Sequence, residues 1–115
     1  MTLFEKQVTF TFLLAQLINY AYAHGYELTL SEAYRTPEQA AINAKTGKGI
    51  KNSLHTVRLA IDLNLFKDNK YLTKTEEYKE LGVYWESLSD DGYKCCWGGR
   101  FNDGNHFSIE HNGVK

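Results

Sequence analysis

The first 24 residues carry apolar side chains at helical spacing and predict a long helix over residues 3–24. The apolar positions are Phe4, Val8, Phe12, Leu13, Leu17, Ile18 and Ala21. Gly25 favours a helix end at this point. A signal peptide is the alternative, but Glu5 and Lys6 precede the apolar centre where a clearly positive segment would be expected. We therefore interpret the segment as a core helix.

Two further helices follow from capping residues and periodicity. Thr36 can cap a helix, Pro37 suits its first position, and Gln39 completes a capping box. This second helix is expected to end near Gly47. A third helix is predicted over about 74–89, where one face collects Tyr78, Leu81, Trp85 and Leu88.

Three short stretches alternate between apolar and polar residues and predict strands, at 26–33, 59–66 and 106–110. The second is the clearest, because one of its faces is wholly apolar: Leu59, Ile61, Leu63 and Leu65. Residues 67–70 are predicted to form a turn, and residues 93–105 a loop.

The order of helices and strands predicts one α+β domain over residues 1–115, with a small antiparallel sheet and flanking helices. Hydrophobic residues make up 43% of the chain, enough for a core without disulfides. The net charge of -1, without a basic run, argues against a non-specific nucleic-acid binder. No apolar run reaches the ~20 residues that span a bilayer, so no stable membrane insertion is expected.

Cys95 and Cys96 are adjacent, and neighbouring cysteines bridge each other only with strain. They also lack partners at the spacing of a zinc motif. We expect both thiols to be reduced, with one or both buried.

A candidate site begins with His55 and with Asp62, seven residues later. Asp62 interrupts an apolar strand, and burying an unpaired carboxylate is costly, so it must be solvated, paired or metal-bound. The strand alternation turns it away from the apolar face. The spacing of the two residues alone is weak support for a metal site.

A second candidate segment runs from Trp97 to Phe107, where His106 opens the last strand and Asp103 lies in the turn before it. If this strand lies beside 59–66, His106 and Asp62 face one cleft. Two histidines and a carboxylate form a common ligand set for catalytic zinc, which leaves a fourth position for water.

Such a site needs a proton carrier and a group that stabilises the oxyanion. Asp103 is the candidate for the first role, although it could also be only a turn former. Arg35 is the candidate for the second, although it could simply pair with Glu32 or Glu38 on the surface.

The ordered set of these segments resembles the zinc D-Ala-D-Ala peptidase family, M15, and in particular its phage endolysin branch. The run from Ser53 to Asp62 resembles the signature S-x-H-x-x-G-x-A-x-D, and Asp103 to Phe107 resembles D-x-x-H-F. Ser31-Glu32-Ala33-Tyr34-Arg35-Thr36 is similar to S-x-x-Y-R-T/S, and Trp97-Gly98-Gly99 matches a stretch common in that branch.

The resemblance implies that His55, Asp62 and His106 bind Zn²⁺, that Asp103 is the catalytic base and acid, and that Arg35 contacts the scissile carbonyl or a substrate carboxylate. It also implies the α+β fold that this family shares with the signalling domain of hedgehog proteins. Three further residues in or beside these motifs are candidates for substrate contacts: Ser53, Arg58 and Trp97.

One residue departs from the family pattern, because Arg58 stands where the signature has glycine. Arginine does not adopt a positive φ as cheaply as glycine does. Either the backbone here is ordinary or the local turn differs, and Arg58 is a candidate to meet an acidic stem peptide. Trp97 has an alternative interpretation as a core residue.

We therefore expect a peptidoglycan hydrolase of the phage endolysin type that cuts the stem peptide at L-Ala–D-Glu. A D-Ala-D-Ala carboxypeptidase is the nearest alternative, since the sequence does not distinguish a closed pocket from an open groove. A non-enzymatic zinc-stabilised binding domain is the second, and a histidine-based nuclease is a weaker third. We expect a monomer, made in the host cytoplasm without a signal peptide and acting on the wall after release.

Overall fold

The computed structural model describes all residues from 1 to 115. The α-helices are α1 (Leu3–Ala23), α2 (Pro37–Lys45) and α3 (Lys79–Ser87). The β-strands are β1 (Glu27–Leu30), β2 (Ala60–Lys67), β3 (Lys70–Leu72), β4 (Cys95–Trp97) and β5 (His106–Ile109). Three short 3₁₀ helices cover Leu54–Val57, Thr75–Tyr78 and Gly98–Phe101.

All strand pairs are antiparallel, in the order β1-β2-β5-β4, with β3 also pairing with β2. This architecture confirms the predicted α+β class with a small antiparallel sheet. Strand β2 lies at the centre, and Ile61, Leu63 and Leu65 on its apolar face are buried as the alternation predicted. The central position of β2 places Asp62 directly beside β5.

Strands β3 and β4 fall in segments where no strand was predicted. Asp68 and Asn69 have φ of 52° and 62°, so they form a two-residue hairpin turn that pairs Lys67 with Lys70. The predicted turn is confirmed, but the chain returns from it as β3. Strand β4 lies within the predicted loop 93–105, which was therefore wrong for three residues.

The predicted core face of α1 is partly wrong. The side chains that α1 buries are Phe10, Leu13, Leu17 and Ala21. Phe4, Val8 and Phe12 are instead 71%, 55% and 65% exposed, because the helix contacts the rest of the chain along one narrow stripe. The prediction of a core helix nevertheless holds. None of the helices combines the length and the apolar character needed to cross a bilayer.

Two other helix predictions needed adjustment. Thr36 Oγ1 accepts from the Gln39 N–H, but the Gln39 side chain donates to Asn43 and leaves the capping box half formed. The predicted third helix begins as the 3₁₀ turn Thr75–Tyr78 and becomes α-helical only at Lys79.

The interior contains two buried thiols. Cys95 and Cys96 are 2% and 4% exposed and form no disulfide, as predicted. Burial raises the pKa of Cys95 to about 12 and also raises that of Cys96.

Candidate metal centre and cleft

The sheet brings Asp62 and His106 together. Asp62 of β2 and His106 of β5 are direct partners in the antiparallel register, and Asp62 Oδ1 lies 3.2 Å from His106 Nδ1. The other ring nitrogen, Nε2, is buried without a partner, so the contact with Asp62 is the only side-chain hydrogen bond that orients this imidazole. The predicted approach of these two residues is confirmed.

His55 reaches the same carboxylate from a loop. It lies in the 3₁₀ helix Leu54–Val57, whose first turn is capped by Ser53 Oγ, which accepts from the His55 N–H at 3.2 Å. His55 Nδ1 donates to the Ala33 carbonyl at 2.8 Å, because a carbonyl can only accept. Its other ring nitrogen, Nε2, faces the carboxylate and lies 3.3 Å from Asp62 Oδ1.

The electrostatics keep this carboxylate ionised. Burial alone would raise the pKa of Asp62, but hydrogen bonds from His106 and His55 outweigh burial and hold it at about 2. Burial opposes a charge on His55, yet its contact with Asp62 raises the pKa of the imidazole. An ionised carboxylate between two imidazoles is a strong donor set for a divalent cation.

The residues present fit a zinc ion. One ligand atom from each of His55, Asp62 and His106 lies within 4.8 Å of the others, and all three residues are buried or nearly so. Two nitrogens and one oxygen match the ligand set of a catalytic zinc site, in which three protein ligands leave a position for water.

The three residues line a cavity of about 510 Å³. Its wall also includes Asp103 and three cationic residues, Arg35, Lys48 and Lys115. The backbone of Asp103 forms the turn before β5, with its carbonyl accepting from the His106 N–H at 3.1 Å. Asp103 is therefore a turn former through its backbone, while its carboxylate is left at the cleft, and its role as proton carrier stays a prediction. Desolvation there raises the pKa of Asp103, and the neighbouring Asp62 carboxylate adds to the rise.

Gly98 allows this turn to close. A Cβ at Gly98 would lie 2.2 Å from the Asp103 carbonyl oxygen and 2.7 Å from His106 Cβ. Only a residue without a side chain permits this approach. The glycine of the Trp-Gly-Gly stretch thus has a direct role in placing Asp103 beside His106.

Arg35 lines the cleft and also pairs with Glu32 through its Nε and Nη2 atoms, with Nε 3.1 Å from Glu32 Oε2. The predicted position at the site and the alternative pairing with Glu32 therefore both occur. The Arg35 backbone N–H donates to the His55 carbonyl at 3.2 Å, which ties the arginine to the ligand loop.

The three residues proposed for substrate contacts differ in position. Ser53 lines the cleft, whereas Arg58 and Trp97 do not. Arg58 adopts the left-handed conformation at φ 57°, so the backbone here is not ordinary, and its guanidinium lies 4.1 Å from the centre of the Tyr34 ring. Trp97 is buried, as its alternative interpretation held, and its Nε1 donates to the Gly104 carbonyl at 2.7 Å.

Sequence reasoning missed two cationic residues of the cleft, Lys48 and Lys115. The only available signal was the Gly47-Lys48-Gly49 run, which identifies an exposed lysine in a loop but not the direction of that loop.

A comparison with protein families gives one match, over residues 46–109, to the M15 family model described as D-alanyl-D-alanine carboxypeptidase. The match covers more than half of the chain and contains all three candidate ligand residues and Asp103. The chain belongs to this family. It is therefore a zinc metallopeptidase of a family that acts on peptidoglycan.

Solved structures share the fold of the peptidase. The L-Ala D-Glu endopeptidase ChiX of Serratia marcescens matches with a TM-score of 0.67 and 20% identity, over 84% of this chain and 77% of ChiX. A zinc-bound mutant of the vancomycin-resistance D,D-pentapeptidase VanY matches with a TM-score of 0.56 and 19% identity, over 88% of this chain and 70% of VanY. No curated protein sequence matches significantly.

Proposed function

We propose that this peptidase is an L-alanyl-D-glutamate endopeptidase of the phage endolysin type. The observation that carries the proposal is the cleft itself, which adjoins a second cavity at Asp103. An endopeptidase must hold substrate on both sides of the scissile bond, whereas a carboxypeptidase needs a pocket closed at one end. The D-x-x-H-F segment of the endolysin branch and the fold shared with ChiX support the same choice.

Hydrolysis needs three chemical roles, of which side chains of this protein supply two. When bound, zinc polarises the scissile carbonyl and lowers the pKa of a water ligand. The Asp103 carboxylate, on the wall of the cleft, takes a proton from the attacking water and delivers it to the departing amine. Arg35 Nη1 is not engaged by Glu32, so it can donate to the developing oxyanion.

We place the whole activity in one catalytic domain over residues 1–115, acting as a monomer on the stem peptide after release to the wall. The three candidate metal ligands and Asp103 line one cavity of this domain, which supports placing the reaction within it.

Digestion of purified peptidoglycan tests the proposal. We expect mass spectrometry to find new amino-terminal D-Glu, with far less product from the Asp103→Asn variant and none after chelation of the metal. Release of free D-Ala would instead show a carboxypeptidase, the second candidate. The observation that favours that candidate is the pair of cations Arg35 and Lys48 on the cleft wall, which suits a terminal carboxylate.

A further inference from the structure

A second cavity, of about 210 Å³, lies next to the metal cleft. It is lined chiefly by residues after β3 and by the turn before β5, among them Thr73, Thr75, Asn102 and Asn105. Asp103 lines both cavities, so the proposed proton carrier stands where they meet.

The two cavities differ in charge. The metal cleft has three cationic residues on its wall beside the carboxylates of Asp62 and Asp103, whereas the second cavity has no cationic residue and Asp103 is its single charged group. Lys74 lies between two lining threonines in sequence but does not line the cavity itself. A carboxylate-bearing ligand is therefore favoured on one side of Asp103 and a neutral ligand on the other.

The polar groups of the second cavity are available for a ligand. The hydroxyls of Thr73 and Thr75 and the side-chain amides of Asn102 and Asn105 make no hydrogen bond within the protein, whereas the Tyr78 hydroxyl is already used by Leu65 and Leu72. The two walls of the cavity are in close contact at Gly104 and Thr75, because a Cβ on Gly104 would lie 2.7 Å from Thr75 Cα. Such a preformed set of neutral donors and acceptors suits hydroxyl and amide groups.

We propose that the second cavity binds the neutral, sugar-linked acyl side of the substrate, and that the cationic cleft binds its acidic peptide side. This inference rests on the proposed L-Ala–D-Glu cleavage. At that bond the acyl side is L-Ala joined through a lactyl group to an amino sugar, without a free carboxylate. The amine side begins with D-Glu, whose α-carboxylate the lysines of the cleft attract.

The acyl side is tested with two substrates that share one L-Ala–D-Glu peptide, one carrying the muramyl sugar and one carrying only an acetyl cap. The double variant Thr73→Val, Thr75→Val removes two hydroxyls at nearly constant volume. Because a net hydrogen bond is worth ~0.5–1.5 kcal/mol, we expect the preference in kcat/KM for the sugar-bearing substrate to fall about tenfold. Thr11→Val, the same change on the exposed side of α1, serves as the control.

The amine side is tested with two peptide substrates that differ in one residue. One contains D-Glu after L-Ala, and the other contains D-isoglutamine, in which an amide replaces the α-carboxylate. Lys48→Gln should lower the preference for D-Glu by about three- to tenfold, more at low salt, because an exposed cation is screened. Lys45→Gln, at the exposed end of α2 and outside the cleft, is the matched control.

The outcomes separate the two proposals. Cleavage at L-Ala–D-Glu with an unchanged sugar preference in the threonine variant, or with no preference in the wild type, overturns the cavity assignment alone. The single threonine variants repeat the measurement if the double variant unfolds. A threonine variant that alters the D-Glu preference, or a Lys48 variant that alters the sugar preference, shows the opposite orientation. Failure to cut either substrate at this bond refutes the proposed function and the assignment together.

Discussion

The two halves of the metal centre are held in different ways. Asp62 and His106 lie on neighbouring strands, where the antiparallel register sets their separation. His55 lies on one 3₁₀ turn, held by the Ser53 cap and by the Ala33 carbonyl. The first pair moves only if the sheet moves, whereas the third ligand depends on a few single hydrogen bonds.

This difference indicates where the site can be tuned. Arg35, Ser53 and Lys48 all belong to the loop half and line the cleft, while the sheet half supplies two ligands and the Asp103 turn. Substitutions in the loop half should therefore change metal affinity and substrate preference only partly. Removal of either ligand of the sheet half should abolish the metal site.

The largest effect is expected from His106→Ala. Removing one of three ligands should leave hydrolysis at the level of the metal-free protein and reduce bound zinc far below one ion per chain. Elemental analysis and a wall-turbidity assay measure the two effects, with His111→Ala, outside the centre, as control. If His55→Ala kept its zinc while His106→Ala lost it, the loop half would be dispensable for metal binding.

The second largest effect is expected from Asp103→Asn. It keeps the turn but removes the proton carrier, and general acid–base groups contribute ~10²–10⁴-fold, so kcat should fall by about that factor. Bound zinc and KM should change little. Loss of the metal in this variant would show that Asp103 supports the ligands and does not carry the proton.

Ser53→Ala tests the loop half at its cap. Losing a helix cap costs ~1 kcal/mol, and disturbing the support of a metal ligand lowers metal affinity by ~10–100-fold. Denaturant unfolding and zinc titration measure these effects. Ser89→Ala is the matched control, since Ser89 Oγ accepts from the Cys95 N–H at 2.9 Å and Ser89 does not line the cleft. Equal zinc affinities in the two variants would contradict the comparison.

The smallest effect is expected from Arg58→Gly. Glycine should relieve ~1 kcal/mol of left-handed strain but lose a cation–π contact of ~0.5–1 kcal/mol, so the free energy of unfolding should hardly change. In a Tyr34→Leu background the same substitution should stabilise by ~1 kcal/mol. A full cycle of urea unfolding measures the coupling, and zero coupling would rule out the contact with Tyr34.

The strands that carry the site and the candidate ligands could be predicted from the sequence, because they follow from local patterns. Alternation located β2 and β5 and turned Asp62 away from the core, and the ordered motifs indicated which histidines to combine with it. The pairing of Asp62 with His106 needed the additional condition that these strands are neighbours. That condition depends on sheet order, which no local pattern contains.

The wrong or missing predictions concern features that depend on contacts between residues distant in the chain. Trp97 is buried because Gly82 leaves room for its ring, and a Cβ there would lie 2.1 Å from Trp97 Cδ2. Residues 82 and 97 are too far apart in the chain for spacing to reveal this. Strands β3 and β4 have three residues each, too short to show alternation, and only pairing with β2 and β5 makes them strands.

The two thiols of the interior have a consequence for where the enzyme can work. Thiolates are the form that oxidants attack, and Cys95, with a pKa of about 12, remains protonated and out of reach of solvent at neutral pH. Cell-wall hydrolases operate outside the reducing cytosol. The folded enzyme should therefore withstand air and mild peroxide without cross-linking, and its purification should require no reductant.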